Sequence, residues 1–557
     1  MQLHRLALLA AAWALGASGG AAPLPTPAAA DEAILKAAHI GTDDASLLRY
    51  FRERSAVRAS EAQIDRWIEE LGDDSFFVRE KASAKLAALG NAAAPALRRA
   101  LDSDDPEVVH RARKGLAAIQ DLSSTRVPCA AAHILRQRRP AGTAMVLLNY
   151  LPSASSELVL SEVRRTLAAL AVRNGQPNSH LVEALTDASA QRRAAAAVAL
   201  CEGGASAALP AVHGLLKDPD PAVRRDVALA LVQRGERAAV PVLIDTLAQA
   251  APPDARRTEE VLFRLGEDDS PDVGIGEDAQ SRQASREAWA AWWKKHSAGI
   301  DLGKLHRPPQ KLGYTMVVLL DGNAIMELDR DGQTSRWRMS GLEMPLDAQK
   351  LPGPRVLVAE QRGNRVTERS TVNGAIRWEY SIPRPLVAQR LKNGHTFIAT
   401  GNQISGRVVE IDRGGNEVFS RDFDTALLRA VKLPDGGFAC VFSNATSGRY
   451  VRFDADGKES QSFPVEIHTA GGRIDVMPNG HVLVPEVHGN RVVEYTATGK
   501  EVWQTTFDQP VAAIRLPNGH TLVTSMSADI GAVELDKAGK HVWQYKSESR
   551  VTRAWRR

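Results

Sequence analysis

Cysteine is nearly absent from this chain of 557 residues: Cys129, Cys201 and Cys440 stand far apart, with no CxxC and no CxxCH. That excludes a disulfide framework, a zinc ribbon and c-type haem attachment, and leaves stability to packing. Charge of one sign is also lacking. Lys and Arg number 70 against 66 Asp and Glu, so the net charge of +4 makes no field of the kind that nucleic-acid binding needs. Beyond the first residues no apolar run is long enough to span a bilayer, which takes about 20 residues. A hydrophobic content of 44% with 24% charged residues is ordinary for globular protein, and at this length it calls for several domains or arrays of repeats.

The N-terminus carries one basic residue at Arg5, an apolar run from Leu6 to Leu15 and small residues from Ala17 to Ala21. This pattern is that of a cleavable export signal over residues 1–22, and it predicts a mature protein in the periplasm or outside the cell. Residues 23–58 read as a linker and N-terminal helices, beginning with the Pro-rich PLPTPAAA stretch at Pro23.

From residue 59 to 300 the chain is rich in Ala, Leu and Arg, with Val78, Ala82, Leu86 and Leu89 along one helical face. It repeats at an offset of 31: Arg193, Ala197 and Leu200 return as Arg224, Ala228 and Leu231, and Pro210 as Pro241. Turn signals divide the helices at Gly90-Asn91, Asp104-Asp105-Pro106, Gly203-Gly204 and Asp218-Pro219-Asp220-Pro221. Residues 121–180 hold helices without a clear register. The passages LGDDSFFVREKASAKLAALG and LKDPDPAVRRDVALALVQRG resemble HEAT-like repeats, in which each helix pair buries its apolar face only against its neighbours. Recurrent Arg79, Arg193, Arg224 and Arg225 are expected to bond neighbouring turns. Trp289, Trp292 and Trp293 close the array, with Trp289 and Trp293 predicted on one face of a capping or docking helix, and 267–280 reads as a surface loop.

After a linker at 301–311, short alternating Val, Ile and Phe stretches replace the Ala-rich helices. One pattern recurs six times, as in GNAIMELDRDGQTSRW from Gly322 and GNRVVEYTATGKEVW from Gly489, and a second, such as LPNGHTLVTS from Leu516, precedes it. Its shared glutamates are Glu327, Glu368, Glu410, Glu494 and Glu534, with Arg452 in the fourth copy. Four strands in about 41 residues make a propeller blade. The expected fold is therefore multidomain: an all-α HEAT-like solenoid followed by an all-β, six-bladed propeller over 312–557, its first blade completed by the C-terminal strand at Val551. The repeats resemble bacterial propellers of the NHL, arylsulfotransferase-like and PQQ-like (quinoprotein) kinds, and the whole order of segments resembles exported bacterial HEAT-repeat proteins with such a propeller.

Residues repeated in every blade stand around the rim, so His395, His481, His520 and the shared glutamates are expected to hold turns and blades rather than one metal ion. The Asp-x-Asp-Gly segments at Asp329 and Asp454 read as hairpins, since they lack the rest of a calcium loop. Side chains that break the repeat near the axis are the better site candidates: Asp347, Gln349, Gln389, Arg429, Arg473 and Asp475, lining a funnel suited to a small anion. These features predict a non-catalytic exported scaffold for protein or cell-envelope glycan, with no cofactor, no metal, no nucleic acid and no membrane span. The alternative is a propeller enzyme of quinoprotein-like dehydrogenase or arylsulfotransferase-like type acting on a small anionic substrate. The first lacks its vicinal cysteine pair and the second has only His468 near an innermost strand.

Overall fold

A computed structural model describes residues 27–55, 61–89, 93–120, 122–154, 157–307, 312–443, 448–455, 457–467, 469–471 and 473–557. The export signal at 1–22, the Gly90-Asn91 turn and His468 lie outside the described residues. Contacts divide the chain into two compact units that meet at Pro210 and Ala211.

The first unit is helical. Ala82, Leu86 and Leu89 of helix Phe76–Leu89 are buried with Leu71, Leu97 and Ala112, while Val78 is half-buried. Helix Leu122–Arg138 packs against Pro27–Ala37 and Glu157–Ala169, and His133 and Arg138 meet Asp31 and Glu32 at 2.6 and 3.0 Å. The repeated arginines tie down the turn ahead of their own helix. In this unit Arg79 Nη1 donates to the carbonyls of Asp73 and Asp74, and Arg193 Nη1 to those of Asp187 and Ala188.

In the second unit, Ala211–Arg557, Arg224 Nη1 does the same to Asp218 and Pro219. Asp220 caps helix Pro221–Gln233 by accepting from the Ala222 N–H at 2.8 Å, with Pro221 in the first turn where its missing N–H costs nothing. Helices Pro252–Gly266 and Ala279–His296 follow. Trp289 packs edge-on to Phe263 with ring centroids 5.1 Å apart and Trp292 packs on Trp289 at 5.3 Å. The buried tryptophans are therefore Trp289 and Trp292, three apart, rather than Trp289 and Trp293; Trp293 is only half-buried, beside Arg237.

Six four-stranded antiparallel sheets form the propeller. In five of them the strands follow chain order. The sixth, here blade one, runs Val551–Arg556, Thr315–Leu319, Ala324–Leu328, Ser335–Met339, so the last strand of the chain lies innermost beside the first. Blades two to six start with Pro345–Leu351, Pro385–Arg390, Leu427–Lys432, Asp475–Val476 and Pro510–Arg515. Apolar side chains of neighbouring sheets interlock, as where Phe397 of blade three meets Phe438 of blade four, itself stacked on Phe453 at 4.7 Å.

Segment 267–280 is more than a surface loop. Its Asp268 pairs with Arg557 at 2.9 Å and Arg336 at 3.4 Å, Asp272 accepts from Ser370 Oγ at 2.7 Å, and Arg377 donates to the Val273 carbonyl. Helix Pro252–Gly266 adds Phe263, which lies against the turn at Gly353, and Glu260, which pairs with Arg355 at 2.8 Å. Gly353 has φ +75°, and a Cβ there would stand 2.2 Å from the Phe263 ring. The helices of 211–300, alike in sequence to the solenoid, thus belong to one compact unit with the blades.

Candidate functional site

The innermost strands share one irregularity. A register shift follows the first residue of the strand in five blades, between Pro345 and Asp347, Pro385 and Val387, Leu427 and Arg429, Pro510 and Ala512, and Val551 and Arg553. A bulge of this kind re-aims the side chain that follows it. The residues so placed are Asp347, Val387, Arg429, Ala512 and Arg553, and the unrepeated segment before Asp475 supplies Arg473.

Asp347 is fully buried and stands in blade two, opposite Arg473 of blade five; Arg473 Nε donates to Asp347 Oδ2 at 3.0 Å. The other Asp347 oxygen lies 3.0 Å from Arg553 Nη1 of blade one. Arg473 Nη2 also donates to Gln349 Oε1 and to the Ala388 carbonyl, at 3.1 and 2.6 Å. Arg429, also fully buried, donates from Nη2 to Thr469 Oγ1 at 2.9 Å. Burial pulls the guanidinium of Arg429 down to about 10, with the positive charge of Arg553 acting in the same sense. Burial also brings Arg553 down to about 10, against the attraction of Asp347. Asp475 is pushed up by burial, although the Arg515 backbone N–H donates to its Oδ2 at 2.8 Å.

Of the six residues singled out from sequence, Asp347 and Arg473 form an ion pair that Gln349 joins through Arg473 Nη2, while Arg429 is bonded to Thr469. Gln349, Gln389 and Asp475 also act as clasps between successive blades. Gln349 bonds both the N–H and the carbonyl of Arg390, Gln389 those of Lys432, and Asp475 the N–H of Arg515. Two ion pairs of Asp347, with Arg473 and with Arg553, thus join blades two, five and one. Arg553 was missed because the motif used for counting, the Pro-Asn-Gly turn, does not follow the last strand. In register Val551 corresponds to Pro510 and Arg553 to Ala512. The signal that finds it is the likeness of LLRAVK from Leu427 to VTRAWR from Val551.

The shared glutamates form a second kind of clasp. Each sits on the third strand of its blade, and four of the five meet a base at the end of the next blade's innermost strand: Glu368 with Arg390 at 3.0 Å, Glu410 with Lys432 at 3.1 Å, Glu494 with Arg515 at 2.7 Å and Glu534 with Arg556; Glu327 pairs instead within blade one, with Arg336 at 2.7 Å and Arg557 at 2.6 Å. An aromatic ring of the glutamate's own blade covers the same base, Trp378 over Arg390, Phe419 over Lys432, Trp503 over Arg515 and Trp543 over Arg556. Where Arg452 replaces the glutamate, Val476 replaces the base, so both members change together. His395, His481 and His520 each bond the glutamate of their own blade through Nδ1, at 2.8, 2.7 and 2.6 Å. Among the described residues no group of three potential metal ligands converges.

Two family models match the chain: HEAT repeats over residues 178–262, and outer membrane protein assembly factor BamB over residues 406–556. No curated protein matches. Among solved structures, a protein of unknown function from Bacteroides caccae is 16% identical, with a TM-score of 0.37, over 43% of this chain and 97% of its own. A streptogramin B lyase is 16% identical, with a TM-score of 0.31, over 44% of this chain and 86% of its own. The Agrobacterium tumefaciens calcium-binding protein regucalcin is 16% identical at a TM-score of 0.30, over 38% and 78%. With the repeats and the six closed sheets already described, the chain is a HEAT-repeat protein with a C-terminal six-bladed β-propeller.

Proposed function

We propose that this propeller protein is an exported, non-catalytic scaffold that presents fixed surfaces to a protein or cell-envelope glycan. The observation that carries this reading is the use of the recurrent polar residues: glutamate, glutamine and the bases beside them are engaged blade to blade, and the histidines hold the glutamates of their own blades. A ring clasped in this way is a stiff platform, and stiffness lowers the entropy lost when a partner binds. Its outermost strands face solvent and keep apolar side chains exposed at Ile376, Val418, Val502 and Val542. Export rests on the N-terminal pattern of charge, apolar run and small residues. No helix among the described residues is long and apolar enough to cross a membrane.

The test is affinity capture of the tagged full chain from its own envelope fraction after cross-linking, with N-terminal sequencing of the captured chain. A partner retained in stoichiometric amount, and a chain that begins beyond Gly19, are the expected results. A chain beginning at Met1, or a bound quinone chromophore with substrate turnover, would refute the scaffold reading and favour the propeller enzyme.

A further inference from the structure

We infer that the propeller axis is a binding site for one small oxyanion, held between the guanidinium groups of Arg429 and Arg553. The inference goes beyond the scaffold reading and does not rest on it. Three cations and two carboxylates are gathered by the innermost strands, Arg429, Arg473 and Arg553 with Asp347 and Asp475. Asp347 is shared by Arg473 and Arg553, at 3.0 Å each. Asp475 accepts from the backbone of Arg515. Neither carboxylate pairs with Arg429.

Arg429 is therefore a wholly buried cation whose hydrogen bond is to a neutral hydroxyl, that of Thr469. Among the described residues its Nε and Nη1 have no hydrogen-bond partner, and neither does Nε of Arg553. A guanidinium stays protonated at neutral pH even in this surrounding, and a buried, uncompensated charge costs several kcal/mol. The positive charge of Arg553, on the innermost strand of blade one, adds to that cost. A bound anion would remove both penalties at once, since it supplies the missing charge and accepts the unused N–H groups in charge-assisted bonds. Arg473 is the most exposed of the three arginines.

The full chain, prepared in phosphate-free sodium chloride buffer, is titrated calorimetrically with inorganic phosphate, sulfate and malonate at matched ionic strength. Melting curves follow the same series. The expected result is saturable binding of at least one probe at one site per chain, with affinity reduced at least tenfold in Arg429→Met. Sulfate and phosphate stabilise folded proteins in general, so the readout is the saturable rise in Tm seen in the wild type and lost in the variant. In chloride alone Arg429→Met should melt no lower than the wild type, because it removes an uncompensated charge. Three outcomes overturn the inference: no saturable binding of any probe to the wild type, equal binding by the variant, or a variant destabilised in chloride, which would make Arg429 a structural cross-link. The wild-type titration decides even if the variant does not fold.

Discussion

Replacing Arg355 with Met should separate the helices of 211–300 from the blades by a defined amount. Arg355 is almost wholly buried and pairs with Glu260 of helix Pro252–Gly266 and with Glu368 of strand Arg365–Ser370, both at 2.8 Å. Its guanidinium also lies 3.9 Å above the Phe263 ring and donates from Nε to the Pro352 carbonyl. Removing one partner of a buried ion pair costs about 3–5 kcal/mol, because the remaining carboxylates keep their desolvation penalty. For a unit of the size of Ala211–Arg557 that is a fall in Tm of about 4–7 °C, taking roughly 2.1 cal/mol/K per residue. Tryptophan fluorescence reads mainly this unit, since eight of the ten tryptophans, all but Trp13 and Trp67, lie in it. The pH dependence supplies the signature. Burial by itself would raise the Glu260 carboxyl, but the charge and hydrogen bond of Arg355, together with the charges of Arg390 and Arg413, hold the group below the usual carboxylate range. A carboxyl depressed on folding stabilises above its unfolded pKa of about 4.3, and that stability is lost as pH falls through the lower folded value. In the variant only Arg390 and Arg413 oppose burial, the carboxyl takes its proton at higher pH than in the wild type, and the gap to the wild type should narrow from pH 7 towards pH 5. Adding Glu260→Gln should restore part of the loss. A loss below about 1 kcal/mol at neutral pH, or one that does not change with pH, would refute the assignment of this pair as a buried junction.

Deleting Val551–Arg557 removes the innermost strand of blade one together with Arg553, Arg556 and Arg557, and bares the edge of Thr315–Leu319; light scattering should show association, and a truncated chain as stable as the whole would refute closure by this strand. Glu410, Glu494 and Glu534 are each opposed by burial, yet are held low by the bonds of His395, His481 and His520 and by the neighbouring bases. Their contribution is therefore present above about pH 4.3 and lost below it, so Tm should fall steeply in acid, and less steeply when the three glutamates are changed to Gln. A chain of residues 211–557 should fold alone, whereas 301–557, which has every blade strand but not Glu260, Phe263 or Asp268, should melt at lower temperature. Equal melting of the two would show that the helices add nothing to the propeller.

Both repeat architectures were legible in the sequence because each is built from local rules repeated many times. An offset of 31 residues and the turns at Asp-Pro fixed the helix pairs, and the Asn-Gly and Asp-Gly turns fixed the strands, since turn chemistry and side-chain period act within a few residues. The structural use of the repeated His and Glu followed from symmetry, as equivalent positions on a ring do not converge. Three things were decided by tertiary structure alone. Gln349 and Asp475 were placed on the axis by counting, and the fold spends them on the next blade. Arg553 reaches the axis through a bulge that shifts the register of its strand by one residue, which spacing along the chain does not reveal. The compact unit begins at Ala211 rather than at the change in composition near residue 300, because Phe263, Glu260 and Asp268 meet partners about 90 to 290 positions away in sequence. Periodicity records which face of an element is buried; which surface buries it depends on the path of the whole chain.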